Sequence, residues 1–246
     1  MLRLIDDLRA ARADLFVNAT VGTWPSPYWL FYSDTVWRGG ADVAYAGAGT
    51  KRQQWMTYRD QLGYRTRTRR GPLFPFNSLK FQSVIYARLS DAAALNRDRQ
   101  DVLDDIHMAA ASGTQLQEFF VTPAMLEAWG WNAIAEAAGW VQRNADVLAD
   151  SHGIGGDPGL GEVYGFASWS PRLGIVALRN PSGRPAEFTL DPGPIFELPA
   201  GAPRRYWLKT IWGRPAALPQ TPIEAGQPQT ATLGPFEVLV LEAAAQ

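Results

Sequence analysis

Through roughly the first 150 residues, short apolar runs alternate with stretches whose apolar positions recur every three or four residues. Leu4, Ile5, Leu8 and Ala11 share one face of a helix over residues 2–12. Residues 15–19 then predict a short buried strand. A turn-rich loop, Gly22-Thr23-Trp24-Pro25-Ser26-Pro27, leads to a second expected strand, residues 28–32, which stops at Ser33-Asp34-Thr35. A long loop follows through Gly39-Gly40, Gly47 and Gly49. Trp55, Tyr58 and Leu62 predict a helix over residues 51–64, and residues 78–87 a third strand. Val102, Leu103, Ile106 and Ala110 lie on one face of a helix opened by Asp91 or Asn96 and running to about Ala111. Residues 115–121 form a fourth expected strand. Thr122-Pro123 opens a helix or helix pair reaching Ala149, since an N-cap followed by proline is a good helix start.

From Ser151 the pattern changes. Gly153-Ile154-Gly155-Gly156-Asp157-Pro158-Gly159 reads as a linker or tight loop. Beyond it, short strands are expected at residues 163–169, 174–178, 186–190, 206–211, 229–233 and 236–241. Turn signals separate them, at Asn180-Pro181-Ser182-Gly183 and Asp191-Pro192-Gly193-Pro194. The fold class is therefore α/β followed by all-β, with a boundary near residue 152. The first part is a parallel sheet covered by helices and the second an antiparallel sandwich. Four parallel strands do not close an eight-stranded barrel, which makes residues 1–152 a partial layer and 153–246 the β-sandwich.

Composition narrows the function. Net charge is −1, so no basic surplus exists to neutralise nucleic acid or an anionic membrane. Arg65, Arg67, Arg69 and Arg70 come nearest to a patch and read as a solvated loop. Cysteine is absent, which excludes disulfides, thiolate catalysis and cysteine-ligated zinc. With His107 and His152 as its histidines, the chain cannot build a histidine-rich metal site. No metal or organic cofactor is implied. The first residues carry charges every few positions and read as a helix, not a signal peptide, which leaves localisation open. Ten Trp, eight Tyr and eleven Phe are many for this length, and those beside Gly, Pro or polar residues are candidate platforms for sugar rings.

Candidate chemistry concentrates between Tyr28 and Asp42. Asp34, at the expected mouth of a buried strand among aromatics and near Arg38, is a carboxyl that its surroundings can tune for proton transfer. Arg38 is a candidate to orient it or to bind substrate hydroxyls, and equally for a structural ion pair with a neighbouring acid. Asp42 in the Gly-rich loop, a candidate hydroxyl ligand, and Glu118 within the fourth strand, whose side chain could face the barrel interior, each read first as an exposed or salt-bridged carboxylate. Trp24, Trp37 and Trp55 are candidate platforms, the first two because they flank expected strand mouths. Trp129, Trp131 and Trp140 fit helix packing, His107 a helix boundary, and His152 a hydrogen bond to the linker.

Asn18 after one strand, Ser33-Asp34 at the expected end of the next and an all-β tail together resemble the α-galactosidase-like clan of glycoside hydrolases (families 27 and 36 and their relatives). More closely, residues 15–27 and 32–42 resemble large bacterial proteins labelled enterotoxin-like or α-galactosidase-like. Residues 52–60, 155–158, 178–181 and 234–238 extend that likeness over nearly the whole chain without evident chemistry. The resemblance implies the last β/α units of a (β/α)8 TIM barrel followed by the sandwich, and a retaining double displacement by two carboxylates. It assigns the general acid/base to Asp34, with Trp24, Trp37, Arg38 and Asp42 around a carbohydrate substrate. The nucleophile, which the clan carries on an earlier strand in a Lys-x-Asp context, is expected outside this chain, on a polypeptide that supplies the first strands. Alternative expectations are a non-catalytic carbohydrate-binding or structural module, or a remnant without independent function.

Overall fold

The computed structural model describes residues 2–20, 26–68, 75–88, 93–95, 97–213, 218–219 and 221–246. The N-terminal stretch is helix α1 (Leu2–Ala11), which buries Ile5 and leaves Leu4 and Leu8 exposed. It is followed by β1 (Asn18–Ala19), β2 (Thr35–Trp37), α2 (Lys51–Gly63), β3 (Leu79–Tyr86), α3 (Arg99–Ala111), β4 (Leu116–Val121), α4 (Ala128–Arg143) and α5 (Ala145–Leu148). The four strands pair in parallel in chain order. Thr50 caps α2 by accepting from the Gln53 amide, and Asp98 caps α3 by accepting from the Gln100 and Asp101 amides. Each satisfies donors that a helix start leaves unpaired. Asp98 thus opens the helix expected from Asp91 or Asn96, both of which lie outside the described residues.

One expected strand is not a strand. Residues 28–32 belong to a 3-10 turn, Pro27–Phe31, because Ser26 accepts from the Tyr28 amide and Pro27 fixes the first backbone angle. Its apolar run faces outward, with Phe31 78% exposed. The chain enters the sheet only afterwards, at the β-branched pair Thr35-Val36.

Register divides the parallel sheet into two unlike faces. Val36, Leu79, Phe81, Gln117 and Phe119 share one face. Leu79 and Phe81 are fully buried in the core shared with α2 and α3, and Gln117 Nε2 donates to the Ala109 carbonyl of α3 at 2.7 Å. Asn18, Thr35, Trp37, Lys80, Gln82, Glu118 and Phe120 share the opposite face. A covered parallel sheet is ordinarily apolar on both faces; here one is polar and aromatic. Among the described residues, β1 and β4 each have a single strand neighbour.

The remainder is antiparallel: β5 (Ser151–Gly155), β6 (Tyr164–Ser170), β7 (Leu173–Arg179), β8 (Ala186–Leu190), the short helix α6 (Pro192–Ile195), β9 (Arg205–Trp212), β10 (Ile223–Glu224), β11 (Gln229–Leu233) and β12 (Val238–Ala245). Six strands form one sheet in the order β10-β9-β12-β7-β6-β5, and β11-β8 form a second, smaller one. The stretch read as a linker begins as strand β5, paired with β6 along its length, and residue 152 falls within it. The large sheet has two apolar faces. Ile175, Ala177, Val238 and Val240 join the helices' core, while Val176, Leu178, Leu239 and Leu241 meet Leu190, Ala231 and Leu233 of the small sheet.

A fully buried ionic network crosses from α2 and α3 to this sheet. Asp105 accepts from Arg52 Nη1 (2.9 Å) and Arg59 Nη1 (2.7 Å), and Arg59 Nε donates to Asp60 (2.7 Å). The Tyr164 hydroxyl donates to Asp60 (2.6 Å) and accepts from Arg179 Nη1 (2.8 Å). Arg179 Nη2 donates to both the backbone and side-chain oxygens of Gln53 (2.9 and 2.8 Å). Burial lowers the Arg59 guanidinium, but Asp60 and Asp105 more than offset it and leave it raised. Burial also raises the Tyr164 phenol, so it remains a donor.

Removing one partner of a buried pair leaves a charge uncompensated, at a cost of about 3–5 kcal/mol. Asp105→Ala removes a carboxylate from Arg52 and Arg59 at once, Arg59 keeping Asp60, and is expected to lose about that much in urea unfolding. Asp146→Ala, which breaks the exposed pair with Arg172, is expected to change stability little. Equal effects of the two substitutions would show that the network contributes nothing.

Candidate active site

In parallel sheets with helical crossovers, reacting groups belong at the C-terminal strand ends. Chain direction therefore decides which acid faces the mouth. Asp34 precedes β2. Its Oδ2 accepts from the Val17 amide at 2.7 Å and lies 3.3 Å from Arg9 Nη2, and its own amide donates to the Val17 carbonyl. The position expected for Asp34, after a strand at 28–32, is thus corrected: it stands at the N-terminal end of β2, tying β2 to the segment before β1. The expectation failed because an apolar run of five was taken for the strand, when Ser26 and Pro27 bend it into a turn.

Trp37, Arg38 and Asp42 lie at the opposite end, where β2 exits. Arg38 is 1% exposed and folds the loop around itself: Nη1 donates to Gly39 O (2.6 Å) and Nη2 to Ala41 O (3.0 Å). The Ala41 amide donates to the Tyr58 hydroxyl at 2.8 Å. Burial pushes the guanidinium down to about 10, with nearby Tyr58, Arg59 and Asp42 as smaller influences. Gly39 and Gly40 hold φ of 87° and 79°, the left-handed region. A Cβ on Gly40 would meet Leu62 Cδ1 at 2.5 Å and the Tyr58 hydroxyl at 2.7 Å. Arg38, expected to touch substrate, is instead a buried clamp that fixes the exit loop, and Asp42 is exposed just beyond that clamp.

The half-buried Trp37 ring lies on the polar face, 4.3 Å from the Arg38 guanidinium and 4.7 Å from Lys80 Nζ. Lys80 also pairs with Glu118. Gln82 Oε1, on the same face, is buried and has no partner among the described residues. Sequence reasoning missed Lys80 and Gln82, although their alternation with Leu79 and Phe81 marks a strand with one polar face. Trp24 lies outside the described residues, as do Arg69 and Arg70; Arg65 is exposed after α2. Trp55 is fully buried in the core, which removes it as a sugar platform. Trp140 packs in the core and donates to Glu242 (2.9 Å), and the His152 Nε2 lies 2.9 Å from the Ile195 carbonyl.

No family model matches the sequence, and no curated protein matches it by sequence. Solved structures do match. A family 27 β-L-arabinopyranosidase from Geobacillus stearothermophilus superposes with TM-score 0.60 at 10% identity, covering 100% of this chain and 55% of that one. The family 36 α-galactosidase AgaA from the same organism gives 0.61 at 9%, covering 99% and 30%. A debranching enzyme from Nostoc punctiforme gives 0.61 at 12%, covering 98% and 53%. The chain shares the fold of part of these glycoside hydrolase structures. It spans about half the length, or less, of these structures. Nothing in them bears on the enterotoxin-like label.

The exit loop makes its own prediction. Gly40→Ala is expected to lose about 1–3 kcal/mol from backbone strain plus the clash. Gly201→Ala, at φ 86° with nothing within 4 Å, is expected to lose only the backbone share. Urea unfolding of both reads the difference, and a loss at Gly40 no larger than at Gly201 would show that the loop yields freely.

Proposed function

We propose that the chain is the C-terminal portion of a retaining glycoside hydrolase of the α-galactosidase-like kind. Residues 1–152 supply the last β/α units of a barrel and residues 153–246 the β-sandwich. The observation that supports this reading is the direction of β2, by which Asp42 follows the C-terminal end of a strand in a sheet whose polar face holds Trp37, Lys80, Gln82 and Glu118. In this reading Asp42 is the general acid/base, in place of Asp34, and Arg38 positions it through the exit loop. Trp37 is the sugar platform, and Trp24 belongs to the neighbouring loop. The same position would suit proton delivery to a leaving glycosidic oxygen and, later, activation of water.

Glu118, the strand carboxylate on that face, is engaged by Lys80. The nucleophile is proposed to come from another polypeptide segment that adds strands beside β4, which among the described residues has a single strand neighbour. An apolar groove of about 220 Å³ beside β4, lined by Ile106, Ala110, Phe119, Ile134, Ala137 and Val141, supports this reading. It offers a seat for an apolar side chain from a helix accompanying an added strand. An unpaired sheet edge also invites association with other chains.

Residues 1–246 alone are expected to self-associate in light scattering and to leave aryl α-galactosides intact. Supplying the missing β/α units should restore both monodispersity and turnover. In that complemented enzyme, Asp42→Asn is expected to cost about 10²–10⁴-fold on poor leaving groups and far less on activated ones. Asp34→Asn should lower the melting temperature while sparing turnover. The reverse pattern would return the acid/base role to Asp34.

A further inference from the structure

A second cleft, of about 520 Å³, opens between α3 and the antiparallel sheet. Asp101, Asp104 and His107 of α3 line one side, Trp212 at the end of β9 another, and Phe236 and Glu237 ahead of β12 a third. Asp104 and Glu237 are only 6% and 9% exposed. Gln100 Nε2 donates to Asp104 Oδ1 at 2.8 Å, and among the described residues no protein donor reaches Oδ2. Glu237 Oε2 accepts from the Gly234 amide, while its Oε1 is buried and has no partner among the described residues. A buried carboxylate oxygen lacking a donor, as Glu237 Oε1 is, is costly and needs an explanation, while Asp104 Oδ2 keeps some access to solvent.

Among the described residues, the lining is short of donors. The amides of Gln53 and Gln100 are already spent on Asp101 and Asp104. Charge is unbalanced as well. Asp101 on the same helix, Glu237 from the turn before β12 and Arg179 of β7 all act on Asp104, giving three carboxylates against one guanidinium. Among the described residues no group of three or more is gathered closely enough to hold a metal ion. The His107 ring stacks on Trp212, with centroids 4.4 Å apart and planes 4° from parallel. Burial pushes that imidazole down to about 4, so it is neutral at ordinary pH and adds an aromatic face without adding charge.

We propose that this cleft binds a small organic ammonium compound, its N–H groups donating to Asp104 and Glu237 and its carbon skeleton lying against the His107–Trp212 stack. A neutral polyol needs donors and acceptors in equal measure, whereas an ammonium only donates, which is what the lining lacks. The site is separate from the β2 exit and does not depend on the glycosidase reading.

The pH dependence has a definite sign. Burial holds the Asp104 carboxyl up to about 7. An ammonium binds its ionised form, so affinity should rise between pH 6 and pH 8, and binding near pH 6 should release a proton.

Titration calorimetry of residues 1–246 with N-methylglucamine and with sorbitol, which share a polyol chain and differ in the ammonium, tests the proposal. N-methylglucamine is expected to bind more tightly at pH 8 than at pH 6, and sorbitol not to bind. Asp104→Asn, which preserves shape, should weaken N-methylglucamine roughly tenfold or more, the scale of one charge-assisted hydrogen bond. Its thermal melt checks that the fold is kept, and Glu237→Gln gives a second reading if it is not. Equal binding of sorbitol would make the site one for neutral polyols and overturn the proposal. So would no binding of N-methylglucamine, or unchanged binding in both variants.

Discussion

The structure depends on the burial of arginines. Arg52, Arg59 and Arg179 are each without solvent exposure, and Asp60 and Asp105 are the carboxylates beside them. Such charges are tolerable in a low-dielectric interior only when their hydrogen bonds are nearly all met. That demand fixes α2 against α3 through Asp105, and α2 against the antiparallel sheet through Tyr164 and Arg179. Apolar contacts alone would let these layers slide. The forked donors of three guanidiniums specify one arrangement, and Tyr58, which holds the β2 exit loop, extends from the same helix.

Much of the layer order was legible because period carried it. Alternation in Leu79-Lys80-Phe81-Gln82 and the three-to-four spacing in α3 each point to one element. Where period was silent, the reading failed. Residues 28–32 are uniformly apolar, so Ser26 and Pro27 decided their shape, and the error moved Asp34 to the wrong end of a strand. Glycine hid β5, which is a strand by pairing and not by side-chain preference.

The candidate site was legible in its residues and not in its geometry. Trp37, Arg38 and Asp42 were singled out, yet only backbone direction separates their end of β2 from that of Asp34. The segments at 52–60, 155–158 and 178–181, which carried likeness without chemistry, meet in three dimensions. Gln61 of α2 donates to Asp157 (3.3 Å), and Arg179 reaches Gln53 and Thr57. Their role is to join the two sheets' supporting layers. A fully buried arginine has no local signature, since along the chain it reads as surface charge.

The large antiparallel sheet has a core on each side, and this bears on how the molecule opens. Amide protons on β7 and β12 lie beneath helices on one side and the β8–β11 pair on the other. Peeling away either cover exposes apolar residues of the same strands, so neither can leave without weakening the other. Those amides should exchange with solvent at the slow rate set by global unfolding, while the short 3-10 turn at Pro27–Phe31 exchanges by local fraying. The molecule would then open cooperatively at its centre and piecemeal at the rim of its parallel sheet.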